Sequence, residues 1–192
     1  MKKKKYEIER DLRYLTLLAQ SFPTVAEAST EIINLQAILN LPKGTEHFLA
    51  DLHGEYEAFQ HVLKNASGNI KRKVNDIFGT TLRETEKREL CTLIYYPEQK
   101  LELIKETETD INDWYHITIH QLVSVCRDVS SKYTRSKVRK SLPSDFKYII
   151  QELLHERVDD SNKAAYVNVI IETIISTGRA DDFIVAICNV IQ

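Results

Sequence analysis

The chain has 192 residues, of which 43% are hydrophobic and 28% are charged, and its formal net charge is -2. This composition is typical of a globular protein that can bury a sizeable core in one or two domains. The nearly neutral charge gives no global field that favours nucleic acid, and no segment fits a secretory signal or a membrane span.

Helical periodicity dominates from the N-terminus onward. A first apolar stripe runs from Ile8 to Phe22 and is ended by Pro23. A second stripe runs from Val25 to Leu39, and the chain then reaches Pro42. The two stripes predict an N-terminal helical hairpin over residues 1–42.

A single strand is predicted over residues 46–50, against about nine helices in the whole chain. A lone strand leaves its backbone N–H and C=O groups without ladder partners, which is costly when they are buried. The sheet must therefore come from another chain or from a longer form of this one. The chain also ends inside an amphipathic helix without a closing signal, which favours truncation.

The remainder is predicted to be helical. The segment 163–177 is apolar on nearly every face, and we predict that it is buried. Pro143, Ser144 and Asp145 give a stop followed by a new helix start. The predicted helices are 56–67, 70–79, 83–95, 98–131 with one break, 146–154, 163–177 and 181–192.

The residues after the predicted strand carry the most chemical information. Asp51 and His53 lie two apart, so on an extended segment their side chains point the same way and can converge on one ion. A carboxylate with an imidazole suits Mn(II), Fe(II) or Zn(II) better than Ca(II). Gly54 leaves room for a phosphate or a second metal. The other interpretation is a simple helix cap, although Gly54 stands where a capping box from Asp51 needs Glu or Gln.

The wider context resembles a known family. Residues 41–68 read LPKGTEHFLADLHGEYEAFQHVLKNASG. They closely resemble the N-terminal part of class III fructose-1,6-bisphosphatases, the Firmicutes-type branch of the calcineurin-like metallophosphatases. The resemblance continues through Tyr95-Tyr96-Pro97 and through the segment from Arg179 to Phe183, so it covers essentially the whole chain.

The resemblance implies a mainly α-helical fragment that holds the first strand of an α/β (αββα) metallophosphatase. Residues 43–68 would be the first strand, loop and helix of the catalytic domain, and residues 69–192 a large helical insertion. Asp51 and His53 match the ligands of one ion in a two-metal site, with Mn2+ as the expected metal. The family's later blocks, G-D-x-x-D-R-G and G-N-H-[DE], do not occur, so no catalytic residue is assigned here.

The implied activity is hydrolysis of the 1-phosphate of fructose 1,6-bisphosphate, in gluconeogenesis, by a cytoplasmic enzyme. The expected partners are the sugar bisphosphate and the rest of the catalytic domain, with no nucleic acid or membrane; a homo-oligomer stays open. With two metal ligands, the chain alone is expected to be inactive. The alternatives are another calcineurin-like phosphatase, for example for proteins or dinucleotides, and a non-catalytic helical interaction module.

Other polar groups have a structural and a functional interpretation. His47 lies in the predicted strand and, with Gly54, is a candidate for the second shell of the metal. His116 and His120 are four apart on a helix, as zinc ligands can be, but no third ligand is evident. The three cysteines are predicted to be reduced and buried.

A basic run puts five cations into nine residues. A solvated turn is the default interpretation, a site for a bisphosphate or an anionic effector is the alternative, and nucleic acid is disfavoured by the nearly neutral overall charge. The five residues are Lys132, Arg135, Lys137, Arg139 and Lys140.

Overall fold

The computed structural model describes residues 2–41, 46, 48–65, 67–155 and 161–192, and it divides the chain into two compact units, Met1–Lys43 and Gly44–Gln192. Regular structure in the described residues is helical throughout, which agrees with the predicted mainly helical fold. No helix in these ranges is both long enough and apolar enough to cross a membrane.

The first unit contains helices α1 (Lys2–Ser21) and α2 (Val25–Leu39), which confirms both predicted helices. Thr24 begins α2 with a capping box: its hydroxyl oxygen accepts a hydrogen bond from the Glu27 N–H at 3.2 Å, and the Glu27 carboxylate accepts one from the Thr24 N–H at 3.0 Å. No side chain described between residues 10 and 41 is buried.

The predicted strand at residues 46–50 is wrong for the residues that the structure describes. Residues 46 and 48–50 have no regular secondary structure, and Phe48 is 91% exposed. The physical reason is the lack of a partner strand. A strand is held by hydrogen bonds to a neighbouring strand, and none of the described segments forms a strand. The αββα fold therefore stays a prediction.

The second unit is a helical assembly, and most of its helix bounds agree with the predicted ones. The helices are α3 (Tyr56–Asn65), α4 (Asn69–Phe78), α5 (Glu84–Tyr95), α6 (Pro97–Thr107), α7 (Ile111–Ser130), α8 (Arg135–Ser141), a 3-10 turn (Ser144–Phe146), α9 (Lys147–His155), α10 (Ser161–Ser176) and α11 (Ala180–Ile191).

Helix α7 lies at the centre of this unit and packs against α4, α9, α10 and α11. Helix α11 also packs against α5 and α6. The apolar faces of α7 and α11 meet and exclude solvent completely at several positions, which is the main source of stability expected for this unit. Fully buried residues of these two helices include Ile119, Leu122, Val125, Phe183, Ile184 and Ile187.

Three details of the second unit refine the sequence expectations. The predicted break in 98–131 falls before α7, where the Asp110 carboxylate accepts a hydrogen bond from the Asp113 N–H at 3.1 Å and caps the helix. Helix α8 was not predicted. Helix α10 is not buried all round, because Val167 and Ile171 are buried while Val169 is 58% exposed.

Candidate functional site

The segment with Asp51 and His53 is a loop that leads into α3 and contains a tight turn. His53 has a φ of 48° and Gly54 a φ of 75°, so both lie in the left-handed region. Histidine is among the non-glycine residues enriched in this region, where it costs about 1 kcal/mol. A Cβ on Gly54 would meet no atom within 4 Å, so its conformation, rather than crowding, explains the glycine here.

The turn brings the two candidate metal ligands together. The His53 Nε2 and Asp51 Oδ2 atoms lie 3.9 Å apart, and the two side chains are 80% and 79% exposed. A tetrahedral ion with bonds of about 2.1 Å holds its ligand atoms about 3.4 Å apart, so both atoms can reach one ion after a movement of about 0.5 Å. Their exposure leaves the side chains free to make that movement.

The loop supplies only part of a metal site. No group of three or more His, Cys, Asp or Glu side chains within the described residues could hold a metal ion. His47, the candidate second-shell residue, lies outside the described residues. The donor set therefore fits a divalent ion as two ligands of a larger set.

Helix α3, which follows the loop, is fixed to the start of α6 by polar contacts. The Asn65 amide donates a hydrogen bond to the Tyr96 hydroxyl oxygen at 3.0 Å, and His61 Nδ1 shares a hydrogen bond with the same hydroxyl. The Lys64 ammonium donates to the Tyr95 carbonyl oxygen at 3.1 Å. The only sequence signal for this anchor is the resemblance around Tyr95-Tyr96-Pro97.

The segment from Arg179 to Phe183 also has a structural role that the sequence did not reveal. The Tyr115 hydroxyl donates a hydrogen bond to the Asp181 carboxylate at 2.6 Å, and Lys105 forms an ion pair with the same carboxylate. Burial, and then the contact with Asp181, raises the pKa of Tyr115. The Arg179 guanidinium lies 4.9 Å from the centre of the Phe146 ring. These contacts fix the start of α11 against α6, α7 and the 3-10 turn.

His116 and His120 form a packed pair on α7, with ring centres 4.8 Å apart. Burial, followed by the charge of His116, lowers the pKa of His120, while a hydrogen bond with Asn168 acts in the opposite direction. The low pKa favours a neutral His120 ring. No third metal-binding side chain joins this pair among the described residues.

The cysteines are free thiols in low-dielectric surroundings. Cys126 and Cys188 are buried, as predicted, and Cys91 is half-buried. Burial raises the pKa of all three, to about 11 for Cys126. A raised pKa keeps a thiol protonated and unreactive, which agrees with a structural role.

The five cations of the basic run do not converge on one point. The Lys132 and Lys137 ammonium groups lie 5.0 and 4.5 Å from the centre of the Tyr133 ring. Arg135 lines a cavity of about 270 Å³ between α7, α8 and α9. Arg139 and Lys140 are exposed on α8 and do not line this cavity.

Comparison with known proteins gives one consistent result. The family model described as Firmicute fructose-1,6-bisphosphatase matches residues 13–192. Similar proteins named fructose-1,6-bisphosphatase class 3 occur in Bacteroides fragilis, Phocaeicola vulgatus and Clostridium botulinum, at 78%, 77% and 65% identity over 185 residues. Each match covers 96% of the chain.

The chain spans 28% of the length of these relatives. No solved structure matches it. Since the family model matches residues 13–192, the chain belongs to the Firmicute fructose-1,6-bisphosphatase family.

Proposed function

We propose that the intact protein hydrolyses fructose 1,6-bisphosphate to fructose 6-phosphate and phosphate, as a metal-dependent enzyme of gluconeogenesis. The observation that carries this proposal is the family match over residues 13–192, together with 65 to 78% identity to relatives named for this activity. The 192-residue chain would contribute one ligand pair to the metal centre, and the remaining ligands would come from outside its described residues.

Asp51 and His53 are the residues that would hold a divalent ion, with Mn2+ as the first choice for an oxygen and an imidazole donor. When bound, the metal would activate the attacking water and neutralise charge on the phosphoryl oxygens. The left-handed turn at His53 and Gly54 turns the imidazole toward the Asp51 carboxylate, so that both donors approach the same point. Helix α3, fixed to Tyr96, supports this loop from its C-terminal side.

The test is Asp51→Ala in the intact protein, compared with Asp76→Ala. Asp76 is exposed on α4, so its substitution removes the same carboxylate outside the loop. We expect Asp51→Ala to weaken Mn2+ binding and to lower kcat/KM for fructose 1,6-bisphosphate at least about a hundredfold, because a metal supplies several kcal/mol of transition-state stabilisation. Asp76→Ala should leave both unchanged.

Circular dichroism of both variants separates lost ligation from lost folding. If Asp51→Ala keeps wild-type Mn2+ affinity and activity, the loop is not a metal site and the interpretation as a capping turn is preferred. If the wild-type protein is active on another phosphate ester but not on fructose 1,6-bisphosphate, the site stands and the substrate is wrong.

A further inference from the structure

The cavity between α7, α8 and α9 has the chemistry of an anion site. Its volume is about 270 Å³, and none of the described residues that line it is acidic. It brings together the end of α7, the connection to α8 and the last residue of α9. Its polar side chains are Arg127, Ser130, Ser131, Tyr133, Arg135 and His155, and two apolar side chains complete the lining.

The two guanidinium groups of this cavity are held differently. Arg127 is half-buried and donates a hydrogen bond from Nη2 to the Leu153 carbonyl oxygen at 2.7 Å, which ties α7 to α9 and orients the group. Arg135 is exposed and forms no ion pair with another described residue. The cavity therefore has one guanidinium with a fixed orientation and one that is free to close on a ligand.

Described groups beside the cavity add positive charge. Asp128, next to Arg127 in sequence, is engaged by the Lys73 ammonium at 2.7 Å. Lys132 and Lys137 lie against the ring of Tyr133, a lining residue, and add two further positive charges beside the cavity. The Tyr133 hydroxyl makes no hydrogen bond with another described side chain, so it can serve a ligand as a donor.

We propose that this cavity binds the phosphate group of a small phosphorylated molecule, with Arg135 as its principal ligand. A guanidinium presents paired N–H donors that match phosphate oxygens, and such hydrogen bonds are strengthened by charge on both partners. The Tyr133 and Ser130 hydroxyls supply neutral donors. This role belongs to one residue of the basic run rather than to the run as a whole.

The size of the cavity limits the ligand. Its volume of about 270 Å³ is roughly nine times the 30 Å³ that one water occupies in the liquid. It lies just below the range of pockets for drug-sized ligands. A phosphate with a short organic part fits this space, whereas a dinucleotide does not.

The experiment is titration calorimetry of the intact protein in metal-free buffer with EDTA, using inorganic phosphate and fructose 6-phosphate as separate ligands. The variants are Arg135→Ala and Arg139→Ala. Both remove one exposed arginine from α8, but only Arg135 lines the cavity. We expect Arg135→Ala to weaken binding about tenfold or more, as for loss of a charge-assisted hydrogen bond. Arg139→Ala should bind as the wild type does, and Arg135→Lys should recover part of the affinity.

Both titrations test the site, and the ligand that binds more tightly shows whether the site prefers free phosphate or a sugar phosphate. The proposal is overturned if the wild-type protein binds neither ligand. It is equally overturned if Arg135→Ala and Arg139→Ala weaken binding by the same factor, because general attraction to a basic surface would then explain the result. This outcome does not depend on the proposed activity, because that activity has a separate test: the effect of Asp51→Ala on Mn2+ binding and turnover.

Discussion

The two units of this chain build helices from the same kind of apolar stripe, but among the described residues only one of them has buried side chains. In Met1–Lys43, Leu15 and Ile32 are each 57% exposed, and no described side chain from residue 10 to 41 is buried. In Gly44–Gln192, Phe183 and Ile187 are completely buried. Two helices alone offer too little surface to cover their own apolar faces, whereas several helices around α7 can do so. Periodicity therefore predicts a helix, but not what covers it.

The largest expected difference between the units comes from removing a large apolar side chain. Phe183 is fully buried and packs edge-on against Phe146, with ring centres 5.3 Å apart. We expect Phe183→Ala to lower the free energy of unfolding by about 3 to 5 kcal/mol, through lost burial and the cavity left behind. Urea denaturation of the intact protein measures this loss.

The matched change in the first unit is Ile32→Ala. Ile32 is 57% exposed on α2, so its substitution should change the free energy of unfolding by no more than about 0.5 kcal/mol. A loss of several kcal/mol would mean that the face of α2 is covered in the intact protein. The difference in burial between the two units would then hold for the 192-residue chain but not for the intact protein.

Sequence reasoning succeeded where the information is local. Pro23, Gly79 and Pro97 each follow closely on the end of a helix, at Ser21, Phe78 and Tyr95. Helix α8 was missed because its seven residues are mostly basic and polar and carry little apolar periodicity. The strand at 46–50 failed because a strand depends on a distant partner that no periodicity within the segment can report.

The same division applies to the candidate sites. The sequence predicted that Asp51 and His53 converge as neighbours on one face of an extended segment, whereas the 3.9 Å between the two atoms arises at a left-handed turn. Their role as metal ligands stays a prediction. The contact of Asn65 with Tyr96 spans 31 residues, and that of Tyr115 with Asp181 spans 66, so neither partner could be identified from local sequence. The basic run likewise suggested an anion site, but only the fold separates Arg135 from Arg139.

A second, smaller difference concerns hydrogen bonds between residues that are far apart in sequence. Those described above lie in the second unit. Tyr115→Phe removes the hydrogen bond to Asp181 and should cost about 1 to 2 kcal/mol at neutral pH. The pKa of Tyr115 is raised above the ordinary value of 10.0, so the folded state holds the proton more tightly than the unfolded state. The contribution is fully present below about pH 10 and is lost as the pH rises further.

Urea denaturation between pH 7 and pH 10.5 measures this dependence. Wild-type stability should fall at the alkaline end, and Tyr115→Phe should reduce the fall without abolishing it, since the pKa of Cys126 is also raised, to about 11. Tyr14 is 62% exposed in the first unit, and Tyr14→Phe should leave the wild-type profile unchanged. Equal alkaline slopes for the wild type and Tyr115→Phe would show that the Asp181 contact does not stabilise the folded state.

A third effect is expected in the first unit, where helix stability depends on local contacts. Thr24→Ala removes the capping box with Glu27 and should destabilise α2 by about 1 kcal/mol. Thr30→Ala makes the same change in mid-helix, where the Thr30 hydroxyl donates to the Ala26 carbonyl oxygen at 2.9 Å, and should slightly stabilise α2 because alanine is the better helix former. Amide hydrogen exchange over residues 25–39 should therefore accelerate in the first variant and slow in the second. Unchanged exchange in both variants would mean that tertiary packing, rather than the cap, determines the stability of α2.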